Sequence, residues 1–212
     1  SSKFYSSILV SKKDSKYFKN SFVVPLGVKL SPSIHKKIKK INKKIIFTGN
    51  MSYEPNIEAV LWFYHNCLPK IISKYPDLEF HIAGTKPSGV IKKLNSSNVK
   101  VLGKVESIQS HIADSDISIA PMQSGSGMQF KILEAMASSV PVVTTRYGLG
   151  DIKAEDDKNI IIAETAYDFS TSICLLLENP TKREDIGISG RKLVEEKYSW
   201  KSHLELVSKI IN

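Results

Sequence analysis

Short apolar runs alternate with longer amphipathic stretches from residue 44 to the end of this 212-residue chain. The runs are rich in β-branched residues, which is typical of strands buried on both faces, and the longer stretches repeat apolar residues at helical spacing. Strands are predicted at residues 44–49, 78–84, 99–103, 116–120, 141–145 and 160–162. Helices are predicted at residues 55–75, 87–95 and 108–113, directly after the glycines at 125 and 127, and at 167–178, 181–197 and 200–211.

This alternation predicts an α/β fold with a parallel sheet covered by helices. Right-handed crossovers then favour a Rossmann-like, doubly wound layout, in which ligands bind outside the carboxyl ends of the strands. Four loops follow predicted strands at residues 48–50, 83–85, 103–104 and 123–129. We therefore expect these four loops to surround one cleft.

The first part of the chain differs from the rest in its pattern. Residues 1–30 hold two short apolar runs, at 7–10 and 22–26, and are interpreted as the tail of a preceding domain. Residues 31–43 are interpreted as a basic linker, and residues 44–212 as the main domain. Because the chain opens without a methionine, we expect it to be a fragment of something longer.

The formal net charge of +9 raises the question of an anionic partner. Six lysines lie in one segment, and they are Lys36, Lys37, Lys39, Lys40, Lys43 and Lys44. A solvated linker is the first interpretation of such a run, and attraction to anionic membrane lipids is the second. A nucleic-acid site ranks last because no aromatic residues are interleaved with the lysines, so we expect no nucleic-acid partner.

Two further observations bear on location and redox chemistry. No apolar run approaches the ~18 residues that span a bilayer, and no signal-peptide pattern opens the chain. We therefore expect a cytoplasmic protein, with peripheral contact to the inner face of the membrane as the alternative. Cys67 and Cys174 each lie in an apolar helical pattern, which favours buried thiols over a disulfide or a metal site.

The glycine loop at 125–127 is the most distinctive stretch. Two glycines allow a tight turn beside a ligand, and the helix after them directs unpaired N–H groups at an anion, most naturally a phosphate. Lys131 and Glu134 are three residues apart on that helix and therefore share a face. The lysine can neutralise phosphate charge and the carboxylate can accept hydrogen bonds from a ribose diol; an ordinary surface ion pair is the alternative.

The order of motifs resembles one known family. Gly-x-Gly-x-Gln-x-Lys-x-Leu-Glu-Ala-Met-Ala at 125–137, followed by Pro-Val-Val-Thr-Thr at 141–145, is similar to the C-terminal, donor-binding domain of GT-B glycosyltransferases of family 4. Shorter matches lie at 47–51 with 55–56, at 102–105 and at 198–200. The Val-Pro-x-Gly-Val run at 24–28 is similar to the exit of the family's acceptor domain.

The resemblance implies a retaining transferase that moves a sugar from a nucleotide-diphosphate donor to a glycan or glycolipid acceptor, without a required metal or cofactor. It places the ribose on Glu134, the base beside the main chain of Lys104 and Val105, and the departing diphosphate beside Lys131. Lys131 and Glu134 are the implied catalytic residues. The implied donor-binding residues are Gly49, Asn50, Lys104, Val105, Gly125, Ser126, Gly127, Met128, Gln129, Phe130, Lys131 and Glu134.

Three positions depart from the family pattern. Ser126 stands where the family has the first glutamate of a Glu-x7-Glu pair, and Asn50 and Asn56 replace an arginine and a lysine. We expect these changes to alter specificity rather than abolish activity, and to leave Lys131 with more of the phosphate neutralisation.

We expect the complete enzyme to build a bacterial surface polysaccharide, lipopolysaccharide or glycolipid, and the fragment alone to be nearly inactive because the acceptor site lies elsewhere. Two alternatives remain open. A GT-B nucleotide-sugar epimerase would need acid and base side chains around the sugar, and Ser126 argues against it. A non-catalytic module would bind nucleotide sugar or an anionic surface.

Overall fold

A computed structural model describes residues 7–9, 16–24, 27–30, 41–125 and 129–211. Six parallel strands form the main sheet in the order β5-β4-β3-β6-β7-β8. They are β3 (Lys44–Thr48), β4 (Glu79–Ala83), β5 (Val99–Gly103), β6 (Ile117–Ala120), β7 (Val142–Thr144) and β8 (Ile161–Ile162). A separate parallel pair is formed by β1 (Ser7–Leu9) and β2 (Ser21–Val23).

Helices connect the strands and flank the sheet. They are α1 (Glu54–Asn66), α2 (Leu68–Lys74), α3 (Gly89–Lys92), α4 (Ile108–Asp114), α5 (Phe130–Ala137), α6 (Arg146–Leu149), α7 (Ala166–Glu178), α8 (Pro180–Lys197) and α9 (Trp200–Ile211). The predicted Rossmann-like α/β class is confirmed. The chain runs outward from β3 to β5 and then returns to place β6 on the other side of β3. This reversal creates a crevice at the carboxyl ends of β3 and β6.

The core forms because the central strands have apolar side chains on both faces. In β3, Ile45, Ile46 and Phe47 are all completely buried. Phe63 of α1 packs edge to face on Phe80 of β4, with ring centroids 4.9 Å apart. Close packing of these buried strands fixes the positions of their carboxyl ends, from which the loops of the site begin.

Two predicted helices are shorter in the structure. The stretch predicted as one helix at 55–75 is divided into α1 and α2 at Cys67, because Pro69 has no N–H to continue the ladder and instead begins a new helix. The helix predicted at 87–95 is the single turn of α3, which Ser88 caps by accepting from the Ile91 N–H. The short helix α6 was not predicted; the Thr145 hydroxyl caps it by accepting from the Gly148 N–H at 3.0 Å.

The early part of the chain contacts its end. The Val28 N–H donates to the Tyr198 carbonyl at 2.8 Å, and a Cβ at Gly27 would lie 3.0 Å from Trp200. Residues 31–40, which make up most of the predicted basic linker, lie outside the described residues. In the parts that the structure describes, no helix combines the length and the apolar character that crossing a membrane requires.

Charged side chains gather at the amino edge of the sheet. Lys43 forms an ion pair with Asp77, and Lys44 forms one with Asp114. The Asp116 carboxylate accepts from the Asn42 and Lys44 N–H groups, each at 3.0 Å. The two lysines of the basic run that the structure describes are therefore paired within the chain.

Candidate functional site

A cavity of about 380 Å³ opens at the carboxyl edge of the sheet. It lies where β3 and β4 end and where three helices begin, so its walls are loop backbones and helix N-termini. Its lining residues are Thr48, Gly49, Tyr53, Asn56, Gly84, Thr85, Ile108, Gln129, Phe130, Lys131 and Glu134. The predicted cleft at the carboxyl ends of the strands is therefore present, at the place where ligands of this sheet type bind.

The backbone floor of the cavity depends on two glycines. The Gly49 N–H donates to the Ala83 carbonyl at 3.1 Å, so the loop after β3 stays joined to the end of β4. Gly84 has φ +149°, and a Cβ there would overlap the Gly49 carbonyl oxygen. Only glycine fits this approach of two backbones.

The amino end of α5 forms one wall. Gln129 precedes the helix without capping it through its side chain, and no acidic residue lies in the first turn. The start of α5 therefore has neither a cap from the Gln129 side chain nor a carboxylate in its first turn, and the positive end of the helix dipole favours an anion there.

Lys131 lies in the first turn of α5 and extends towards the end of β3. Its Nζ donates to the Asn56 Oδ1 at 3.0 Å and to the Gln129 Oε1 at 2.9 Å. The same nitrogen lies 5.1 Å from the centroid of the Phe47 ring. Within the described ranges, no carboxylate forms a salt bridge with Lys131, so its hydrogen-bond acceptors are neutral.

Burial changes the protonation of both charged residues in this wall. It lowers the pKa of the Lys131 ammonium to about 8, although the Glu134 carboxylate opposes that change. It raises the pKa of the Glu134 carboxyl, against the opposing effect of Lys131. Both shifts express the cost of removing charge from water, and an anionic ligand beside Lys131 would reduce that cost for the lysine.

The start of the glycine loop is attached on two sides. The Tyr147 hydroxyl of α6 donates to the Gly125 carbonyl, and the Ser124 hydroxyl donates to the Glu58 carboxylate of α1. Gly125 has φ +108°, and a Cβ there would lie 3.1 Å from Pro55. Ser126, Gly127 and Met128 of the predicted site lie outside the described residues.

Among the other predicted residues, five line the cavity: Gly49, Gln129, Phe130, Lys131 and Glu134. Asn50 lies at the same loop, but its side chain accepts from the Ser52 N–H at 3.1 Å and so closes a turn. Lys104 is exposed directly after β5, and Val105 beside it is half-buried. Neither of these two is among the lining residues of the cavity, and their contact with a base stays a prediction.

Thr48, Gly84 and Thr85 also line the cavity and lie in loops that were predicted to surround the cleft, although they were not named as site residues; the lining residues outside the predicted loops and the named site residues are Tyr53, Asn56 and Ile108. All of them lie within a few residues of the carboxyl end of a predicted strand or at the start of a helix, and that position was the available signal. Thr48 is notable because its hydroxyl is buried without a hydrogen-bond partner among the described residues.

Comparison with known proteins gives a family for this arrangement. Residues 42–179 match the family model described as glycosyl transferases group 1. A 44.6 kDa uncharacterised protein in the cps region of Klebsiella pneumoniae is 24% identical over 181 residues, which cover 81% of this chain and 47% of that protein. A second relative is a GDP-mannose-dependent monoacylated α-(1-6)-phosphatidylinositol monomannoside mannosyltransferase of Corynebacterium glutamicum. It is 27% identical over 157 residues, which cover 68% of this chain and 41% of that protein.

A solved structure has the same fold. The crystal structure of an S. aureus TarM mutant in complex with fondaparinux, α-GlcNAc-glycerol and UDP superposes with a TM-score of 0.81 at 24% identity. The match covers 100% of this chain and 44% of TarM. The chain thus spans less than half the length of the curated relatives named above.

Proposed function

This chain belongs to the glycosyl transferases group 1 family and has the fold of a GT-B glycosyltransferase domain, and on that premise we propose that it is the donor-binding half of a retaining glycosyltransferase. The donor is a nucleotide-diphosphate sugar, the transferred group is a hexose, and the acceptor is a hydroxyl of a glycan or glycolipid.

The observation that carries this proposal is the position of Lys131. Its ammonium lies at the cavity wall beside the start of α5, which the Gln129 side chain does not cap, and it donates to the neutral Asn56 and Gln129 oxygens. A half-buried ammonium with neutral hydrogen-bond acceptors at the start of a helix favours a ligand with more than one negative charge. A diphosphate has that charge, and the cavity volume of about 380 Å³ is suitable for part of a nucleotide.

Each polar group has a role in this proposal. The α5 N–H groups and Lys131 bind the diphosphate, and Glu134 accepts hydrogen bonds from the ribose diol. When the sugar leaves, negative charge accumulates on the departing diphosphate, and these groups stabilise it because they are already oriented before the reaction. Asn50, Lys104 and Val105 are proposed to contact the sugar or the base from the loops after β3 and β5.

The nature of the donor and the acceptor draws support from relatives. The Corynebacterium relative is, by its name, dependent on GDP-mannose and acts on a phosphatidylinositol monomannoside, whereas TarM was solved with UDP. A lipid-linked or surface-glycan acceptor agrees with the first of these names. We propose that the acceptor site lies in a further domain, and that this chain alone binds the donor but transfers little sugar. Contact with a membrane surface is proposed to be made by that further domain or by the lysine run.

Calorimetric titration of the folded chain with UDP-, GDP- and ADP-sugars tests the proposal. We expect saturable binding of at least one of them, with the free nucleoside diphosphate competing for the same site. A folded sample that binds none of the three would refute the donor-site assignment.

A further inference from the structure

Asn56 is the buried amide at the junction of the two walls of the cavity. It lies in the first turn of α1 with 5% of its surface exposed. Its Nδ2 donates to the Asn50 carbonyl at 2.9 Å, and its Oδ1 accepts from the Lys131 Nζ at 3.0 Å. Both ends of the amide are thus used, one on the loop after β3 and the other on α5.

The surroundings of Asn56 fix its orientation. A Cβ at Gly49 would lie 2.7 Å from the Asn56 Nδ2, so the glycine makes room for the amide. The Asn50 carbonyl can only accept a hydrogen bond, which directs the NH₂ group towards it and leaves the oxygen facing the lysine. The lysine in turn can only donate, so the two contacts support the same orientation.

The neutrality of this oxygen matters for an anionic ligand. An aspartate at position 56 would have almost the same shape, but it would place a carboxylate at hydrogen-bond distance from Lys131. That carboxylate would neutralise the ammonium before any ligand arrived. An asparagine holds the ammonium in place without pairing it with a negative charge.

We propose that Asn56 is a positioning residue of the donor site, which holds the Lys131 ammonium at the cavity wall through a neutral oxygen and so keeps its positive charge for the diphosphate of the donor. This inference rests on the proposed function and adds a residue that acts on the donor through Lys131.

Two variants of the whole chain test it. Asn56→Leu removes both hydrogen bonds, and Asn56→Asp replaces the neutral oxygen by a charged one. Asn66→Asp is the matched control, because Asn66 lies at the other end of the same helix and also donates its amide to a carbonyl, that of Trp62, at 2.9 Å. The unmodified chain is first titrated with UDP, GDP and ADP. Each variant is then titrated with the nucleotide that the unmodified chain binds most tightly.

We expect Asn56→Asp and Asn56→Leu to weaken binding about tenfold or more, and Asn66→Asp to leave it unchanged. If the unmodified chain binds a nucleotide and both Asn56 variants bind it equally well, the positioning role is wrong. If the unmodified chain binds none of the three nucleotides, the proposed function is wrong. A second measurement, made without nucleotide, then tests the positioning role of Asn56.

That second measurement is the NMR titration of the Lys131 ammonium, which a purely structural role of Asn56 would not change. The titratable groups that face it along the cavity are Glu134 on its own helix and Tyr53 before α1. We expect Asn56→Asp to move the titration of Lys131 to higher pH by at least one unit, since a carboxylate favours the charged lysine. An unchanged titration in Asn56→Asp would overturn the inference, provided that circular dichroism shows the variant to be folded.

Discussion

The lysines at the two edges of the main sheet differ in the charge of their partners. At the amino edge, Lys43 and Lys44 form ion pairs with Asp77 and Asp114. At the carboxyl edge, Lys131 is likewise half-buried, yet its hydrogen bonds go to the neutral Asn56 and Gln129 oxygens.

This difference separates a structural charge from a charge available to a ligand. An ion pair near the surface adds little to stability. Partial burial of a lysine that forms no salt bridge is costly, and the pKa of about 8 for Lys131 expresses that cost even with the Glu134 carboxylate opposing it. A protein retains such a group where it has a function, and at this edge the function we propose is binding of a diphosphate.

The largest effect is expected from breaking the backbone contact beneath the cavity. Gly84→Ala should lower the free energy of unfolding by about 3 kcal/mol or more, since its Cβ would overlap the Gly49 carbonyl and φ is +149°. Urea denaturation measures this. Gly89→Ala is the control, because a Cβ there meets nothing within 4 Å, and it should be neutral or slightly stabilising. Equal stabilities of the two variants would show that the two backbones do not approach as described.

Removal of the Lys131 charge has the next largest expected effect. Lys131→Met should weaken nucleoside-diphosphate binding by about 2–3 kcal/mol, the range for a hydrogen bond to a charged group. The same substitution at Lys44, which is paired with Asp114 at the opposite edge, should leave binding unchanged. Calorimetric titration of both variants with the nucleoside diphosphate measures the two affinities. If the two variants lose affinity equally, the contrast between the edges has no functional meaning.

Glu134→Gln should have a smaller effect that depends on the ligand. Loss of a carboxylate that accepts from the ribose should weaken nucleoside-diphosphate binding by about 1–2 kcal/mol. Inorganic pyrophosphate has no ribose, so its affinity should not fall, and competition between the two ligands measures both. If Glu134→Gln also binds pyrophosphate more weakly, the proposed contact of Glu134 with the ribose is wrong.

The smallest effect concerns two threonines at the carboxyl edge. The buried Thr48 hydroxyl lacks a partner among the described residues, whereas the Thr144 hydroxyl donates to the Ala120 carbonyl at 2.9 Å. Thr48→Val should therefore stabilise the ligand-free chain by up to about 1 kcal/mol, and Thr144→Val should destabilise it by about 1 kcal/mol. Thermal unfolding measures both. A destabilised Thr48→Val would show that this hydroxyl has a partner after all.

The sequence predicted the sheet well because each strand is a short β-branched run followed by a polar loop. The position of Lys131 and Glu134 on one wall of the cavity was also predictable, since their spacing of three places them on one face of a helix; their roles stay a prediction. The break between α1 and α2 was missed because the apolar pattern continues across it, although Pro69 marks the new helix. Spacing along the chain gives no sign of the Asn56–Lys131 contact, which joins residues 75 positions apart.

The most direct test of the central claim follows the Lys131 ammonium by NMR as a nucleoside diphosphate is added. In the free chain Lys131 should titrate near pH 8, so its charge, and with it the affinity for the diphosphate, should fall as the pH rises through that value. Bound diphosphate places negative charge beside the ammonium and should move its titration to higher pH. Saturating diphosphate that leaves the Lys131 titration where it was would contradict the assignment of this lysine to the donor site.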